Sequence, residues 1–453
     1  MVALKPRALP RLRAPSGTAA ALCLLSLCAA GPVTAQDAPL TLSASISQAL
    51  AHNAQARAAG FTRSAAKVDA DRSRPGLHPA IEAVASQTVQ APRLTLPGLP
   101  DSPILRNQFG RLQLTVEQTI YHAGQSSAVA RYNGLSQAAD QDYLREISDV
   151  EVAVAKSYTN VQRADAGVAA AEDGLRSAER YRQVVIQRVA AGRAKPVDTD
   201  TADAQVAEAQ AGVSRARGAA NLARLNFNRT LGRPLQTDVR LAPESNGSPS
   251  AATGSDAGAS PAPAIAQALA TRADLRLLQA NLAVAHAGIG LARSQSSPVL
   301  SLRGEIDQQT PTVLLPSTYA AATLELRWRP FDYTHDLDVR QARAQEQRLA
   351  ALLDQAREGI ALEVTQSWQR IGEAKDRIRL ALIQQHGAES VALAAETAYE
   401  VGRGSAVEVE GAQREVRSAR DRVVQAQFDL IDASADFRHA QGILDVPLES
   451  LPR

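Results

Sequence analysis

The chain has 453 residues, a formal net charge of +2, two cysteines, one methionine and only 4% aromatic residues. A chain this close to neutral gives no electrostatic reason to bind nucleic acid. So few large rings cannot fill a broad globular core of this size, whereas abundant Ala, Gln, Arg, Glu and Leu suit long, closely packed helices.

Residues 1–35 are expected to be a secretory signal. Lys5, Arg7, Arg11 and Arg13 form a basic start, Ala19 to Ala30 an apolar run, and Val33-Thr34-Ala35 a small-residue cut site before Gln36. The run is shorter than the roughly 20 residues of a spanning helix. Its removal leaves the mature chain at −2 and takes away both cysteines, Cys23 and Cys28. No disulfide, thiolate nucleophile or cysteine metal site then remains. Leu25-Ser26-Leu27-Cys28 resembles a lipidation site, but Leu27 stands where a small residue is usual, so plain cleavage is favoured.

A first repeat is expected over 36–242, a flexible Pro/Gly/Ser linker over 243–263, a second repeat over 264–445 and a tail over 446–453. Each repeat reads as a helix (44–74 or 264–295), two strands, a very long helix, a glycine-marked turn and another long helix. The strands alternate. Leu112, Leu114 and Val116 interleave with Arg111, Gln113, Thr115 and Glu117, and Leu300, Leu302, Gly304 and Ile306 with Ser301, Arg303, Glu305 and Asp307. Ala320, Ala322, Leu324, Leu326 and Trp328 do the same, while the strand near Ile81–Val89 alternates least. The long helix of the second repeat, about 337–401, carries an apolar stripe at Leu349, Leu353, Ile360, Val364, Ile371, Ile378 and Leu382.

The duplication itself is direct. An offset of 210 superposes Leu114 on Leu324, Tyr121 on Phe331, Tyr158 on Trp368, Gly192 on Gly402, Phe227 on Phe437 and Gly232 on Gly442. Upstream, an offset of 219 superposes Ile46-Ser47-Gln48-Ala49-Leu50-Ala51 on Ile265-Ala266-Gln267-Ala268-Leu269-Ala270, and Pro79 on Pro298. The difference falls in a proline-rich loop between the first two strands. Alternation over about ten residues is the pattern of membrane strands, and also of any half-buried sheet. Export, and helices too long to cover these strands, favour the membrane. Four strands cannot close a barrel in lipid, where an open edge leaves backbone groups unpaired. Closure therefore requires several copies, two or three giving eight or twelve strands.

These features resemble the TolC-like outer-membrane factors of Gram-negative bacteria over about 40–445. The resemblance rests on Leu40-Thr41-Leu42 with Gln48-Ala49-Leu50, on Pro79 and Pro298 before strands, and on Leu324-Glu325-Leu326-Arg327-Trp328-Arg329-Pro330-Phe331-Asp332. It rests also on Gly192 and Gly402 followed six positions later by Asp198 and Glu408, and on Leu231-Gly232-Arg233-Pro234. It implies a mainly α fold with membrane β: long α-helical hairpins forming a periplasmic α-barrel, and four strands per chain in a trimeric twelve-stranded outer-membrane β-barrel. It implies a homotrimer seated in outer-membrane lipid that docks onto a periplasmic adaptor protein and an inner-membrane pump, of ABC or other type. The duct would be passive and without cofactor, its cargo an exported protein or a small molecule. The toxin-secretion branch (type I secretion, cyclolysin-like) is favoured over a multidrug efflux channel, on the absence of a lipidation cysteine.

The same resemblance places a closed gate at the hairpin turns. Tyr399 matches the gate tyrosine and Glu408 the first of two acidic residues at the constriction, with Gly402 in the turn and Gly192 and Asp198 in the first-repeat turn. Gly404 stands where the best-known member has arginine and Gly411 where it has the second aspartate; Arg403 and Glu410 are the available substitutes. A purely structural role for Glu408 and Asp198, as helix N-terminal acids, competes with the gate role. No phosphate loop or His-Glu-x-x-His stretch occurs and the seven histidines are scattered, so no catalytic or metal chemistry is expected. An adaptor would have one hairpin, and a filamentous coiled coil no alternating strands.

Overall fold

The computed structural model describes residues 39–72, 78–89, 108–242, 260–310 and 318–443. The expected signal, the proline-rich loop, linker residues 243–259 and the tail lie outside the described residues. The chain order is α1 (Leu42–His52), α2 (Ala54–Arg72), β1 (Ala80–Val89), β2 (Gln108–His122), α3 (Gln125–Ala190) and α4 (Pro196–Leu231). The second repeat follows the same plan: α5 (Ala262–Thr271), α6 (Ala273–Ser294), β3 (Val299–Thr310), β4 (Thr318–Arg327), α7 (His335–Glu400) and α8 (Ala406–Ala440). Helix α5 thus starts inside the stretch assigned to the linker.

The single first helix expected in each repeat is two helices. Asn53 and Arg272 both adopt extended backbone, with ψ of 133° and 130°. The Asn53 carboxamide oxygen accepts from the Gln55 and Ala56 amides, and its Nδ2 donates to the Thr230 carbonyl 2.8 Å away. A side chain that caps a new helix and ties it to α4 outweighs one more helical turn. Arg272 breaks the second pair in the same place, held by Asp274 at 2.7 Å and Glu363 at 2.6 Å.

Helices α3 and α7 each run 66 residues, roughly 100 Å at 1.5 Å per residue. Both end against a glycine in the left-handed region, Gly192 (φ 67°) and Gly402 (φ 73°), where a side chain would be strained. The Arg193 and Arg403 amides then reach back to the Arg188 and Ala398 carbonyls, each at 2.8 Å, closing the helix end. Within each repeat the hairpin packs along an apolar seam. Val154, Tyr158 and Val161 meet Ala223 and Phe227 in the first, and Ile360, Val364 and Ile371 meet Leu430 and Phe437 in the second. The α7 stripe departs from expectation toward the tip: Leu382 is exposed, and Ala381, Ala388 and Ala392 continue the buried face. Small residues let the helices approach closely there. No buried apolar cluster among the described residues mixes the two repeats.

The four strands form one antiparallel sheet in the order β1-β2-β3-β4, so backbone pairing of β2 with β3 joins the repeats. Register aligns Ala83, Leu114, Ile306 and Ala320 across one face, and Val84, Gln113, Asp307 and Tyr319 across the other. The polar face is tied together. Arg111 pairs with Asp307, Gln113 donates to Glu305 at 2.8 Å, the Tyr319 hydroxyl donates to Glu305 at 3.2 Å, and Arg303 meets Glu117 at 3.2 Å. The apolar face is bare, with Ile81, Leu112, Leu324 and Leu326 all exposed. A sheet cross-linked on its polar side and exposed on its apolar side is inside out for water. Among the described residues, the outer strands β1 and β4 each keep an unpaired edge.

Candidate functional site

Away from the sheet, α3 of the first hairpin runs beside α8 of the second, and polar pairs tie the two together. Asp149 faces His439 at 3.3 Å, Lys156 pairs with Asp436 at 2.6 Å, and Arg163 pairs with Asp432 at 2.6 Å and Asp429 at 3.7 Å. Arg163 also lies over the Phe428 ring, 5.6 Å from its centre. The first three α3 residues recur every seven positions, so they keep to one helix face. Further toward the turns the Arg417 stem crosses Gly174, where a Cβ would come within 3.5 Å of it.

The seam ends in a compact cluster at the tips. The Arg188 guanidinium of α3 sits 3.9 Å above the Tyr399 ring of α7, and its Nη1 donates to the Tyr399 carbonyl at 3.4 Å. A cation on a ring face gains about 0.5–1 kcal/mol when partly exposed. Beside it, burial pushes the Tyr181 phenol up to about 12; Tyr399, Glu410 and Asp198 add to the shift and Arg188 opposes it. Glu410 is itself half-buried and pairs with Arg414 at 3.2 Å. Burial similarly lowers the Arg417 pKa, with Arg414 adding to the effect, and raises that of Asp421.

Of the residues singled out from sequence, Tyr399, Glu410 and Asp198 come together here. Glu408 does not: its carboxylate accepts from the Ser405 amide at 3.1 Å while Ser405 Oγ accepts from the Glu408 amide at 3.2 Å, a reciprocal cap on α8. Asp198 also caps its helix, accepting from the Lys195 amide at 3.0 Å. Arg403 is exposed. Gly404 is tight, because a Cβ there would lie 3.0 Å from the Tyr399 nitrogen and 3.2 Å from the Ala398 carbonyl carbon. A side chain at this position would push the turn's backbone aside by a few tenths of an ångström. Sequence reading missed Tyr181 and Arg188; their signal is the seven-residue step Gly174, Tyr181, Arg188 along α3.

Two hairpins per chain and a shared four-stranded sheet define a fold that known proteins share. The sequence profile described as outer membrane efflux protein matches residues 45–233 and 264–442, one stretch in each repeat. The chain belongs to the outer membrane efflux protein family. Solved structures agree in fold. The outer-membrane channel OprN is 21% identical with a TM-score of 0.71, covering 88% of this chain and 89% of its own. The outer membrane protein VceC of Vibrio cholerae is 17% identical with a TM-score of 0.72, covering 88% and 96%. The outer membrane channel CmeC of Campylobacter jejuni is 14% identical with a TM-score of 0.73, covering 88% and 85%. No curated protein matches the chain significantly in sequence. Members of the efflux protein family are passive trimeric channels, not enzymes, that work with periplasmic adaptors and inner-membrane pumps. This member is an outer-membrane protein of the Gram-negative type with a large periplasmic part.

Proposed function

We propose that three copies of this chain close a twelve-stranded barrel in the outer membrane and a helical duct beneath it, through which small molecules leave. The observation carrying this is the four-stranded sheet, bare on its apolar face and unpaired at both edges. Such a sheet is costly in hydrocarbon unless neighbouring copies pair the edges. Fractionation with unheated gel migration tests it: an outer-membrane species running as a heat-sensitive trimer is expected, and a soluble monomer contradicts it.

Of the two cargo classes, small-molecule efflux is placed ahead of type I secretion of a protein toxin; the word efflux in the family description supports it without separating the two. The secretion reading leans only on Leu27 preceding Cys28. Cells lacking the chain should become sensitive to dyes and hydrophobic antibiotics while keeping their secreted proteins; the reverse pattern would favour secretion. Energy comes from an inner-membrane pump reached through a periplasmic adaptor. The duct is held shut at its periplasmic end by the tip cluster of Tyr181, Arg188, Asp198, Tyr399 and Glu410, and it opens as the second hairpin separates from the first along the α3–α8 seam. The turns at Gly192 and Gly402 carry these residues, while Arg403 and Glu408 shape the second turn.

A further inference from the structure

We propose that Arg329 forms an ion pair with the partner's Glu82 on the inner face of the barrel, and that this pair sets the register in which β4 of one copy meets β1 of the next. It rests on the three-copy closure above and adds the contact that aligns the copies. The duplication supplies the register. The offsets that superpose the repeats, 219 for β1 and 210 for β2, carry the pair Ala80–Glu117 onto Val299–Arg327, and both pairs are present. Strand pairing therefore follows the same offsets as the sequence. The pairing of β2 with β3 has its counterpart between β4 and a neighbouring copy's β1. Thr119–Ser301 becomes Arg329 opposite the partner's Glu82, and Gln118–Leu302 becomes Trp328 opposite the partner's Ala83.

The β-bulge carries over as well. Thr119 pairs with Ser301 and Tyr121 with Leu300, so Ile120 is an inserted residue. Its counterpart is Pro330, which has no ladder donor and suits a bulge in an otherwise paired strand. The strand ends agree too. From Gln118 to His122, β2 is held by β3 alone, because β1 begins opposite Glu117. β4 stops at Arg327, where its pairing with β3 ends. Residues 328–332 are the counterpart of that overhang and pair only when a neighbouring β1 is beside them. On the apolar face, Leu326 and Trp328 then cover the partner's Ala85 and the partner's Ala83, large side chains over small ones. On the polar face, Glu82 and Arg329 are both exposed, and the row of Glu82 across its own sheet is Thr115, Glu305 and Ala321, with no cation. Arg329 brings the opposite charge to that row. Glu117 and Arg303 tie β2 to β3 in the same way at 3.2 Å, one step along the same face. A slip of one residue would turn the apolar side chains inward. A slip of two would bring Arg327 to Glu82, but Arg327 is already paired with Glu325 at 2.7 Å.

Cysteine pairs test the register in a chain cleared of Cys23 and Cys28, its only cysteines. Glu82 and Arg329 sit at opposite edges of one sheet, so a disulfide between them joins two copies. Residues directly opposite across a strand pair come within about 4.5–5.5 Å at Cβ, against about 7–8 Å for diagonal ones. Oxidised Glu82→Cys, Arg329→Cys is expected to give a covalent ladder up to trimer on heated gels, and Glu82→Cys, Arg327→Cys little or none. The opposite outcome, or no ladder from either while a heat-sensitive oligomer persists, would overturn the register and leave the channel reading standing. Charge reversal tests the pair itself. Arg329→Glu is expected to shorten survival of the oligomer on heating several-fold, and adding Glu82→Arg to restore it. No loss in the single variant, or no recovery in the double, would remove the ion pair. Absence of any oligomer from the unaltered chain would sink the closure by three copies and the pair with it.

Discussion

The seam inside each hairpin and the seam between hairpins are built from opposite materials. Inside, Phe227 and Phe437 are almost fully buried among Val, Ile and Ala, and each such ring contributes about 1.5–3 kcal/mol by burial alone. Between hairpins the ties are Lys156–Asp436, Arg163–Asp432 and Asp149–His439, with side chains that water still reaches. Exposed pairs of this kind are worth about 0–1 kcal/mol each and weaken with salt. The repeats are joined firmly near the sheet, where β2 pairs with β3 and Gly134 of α3 lies against Val284 of α6, and more weakly along α3 and α8. What this teaches is which contact is weakest toward the tips: the α3–α8 seam rather than α3–α4 or α7–α8.

Truncating the apolar seam should have the largest effect. Phe437→Ala is expected to cost about 3–5 kcal/mol, seen as loss of the heat-sensitive oligomer from membranes. An oligomer of wild-type stability would mean the hairpin is held by something other than its core. A smaller effect is expected at the second turn, where Gly404→Arg crowds the Tyr399 nitrogen. It should lower stability by about 1–3 kcal/mol and loosen the tip, read as raised channel conductance. A neutral result would show that the turn rearranges freely.

Alkaline pH tests the tip cluster. The Tyr181 value rises from 10.0 to about 12 in the tip cluster, chiefly through burial. A raised value favours the neutral phenol, so its contribution is complete below about 10 and is lost as pH climbs toward 12. Conductance should increase across that window and not do so in Tyr181→Phe; identical profiles would remove Tyr181 from the closure. Smallest is Glu408→Ala, which removes half of the cap on α8, about 0.5–1 kcal/mol. It should shift conductance less than Gly404→Arg does; a larger increase would restore Glu408 to the gate itself.

Much of this architecture was legible in the sequence because duplication and periodicity are local signals. The landmark glycines, the alternating strands and the helix from about 337 all appear where the offsets put them. The helix breaks at Asn53 and Arg272 were not legible, since each depends on a partner far along the chain, Thr230 or Glu363. At the tip, the resemblance singled out Tyr399, but Arg188, which lies over its ring, was not singled out. Its role depends on α3 lying beside α7, a tertiary fact with no trace in α3 beyond spacing. The capping role of Glu408 could have been read from Ser405 three residues earlier, a local pattern that the resemblance overshadowed.

On the proposed function, the inter-hairpin seam is a weak contact of polar pairs that helps to hold the channel shut. Planar-bilayer conductance of the Lys156→Ala, Arg163→Ala double variant measures it most directly. Conductance several-fold above wild type, with the oligomer still heat-sensitive on gels, is the predicted result. Wild-type conductance from an intact double-variant oligomer would contradict the account.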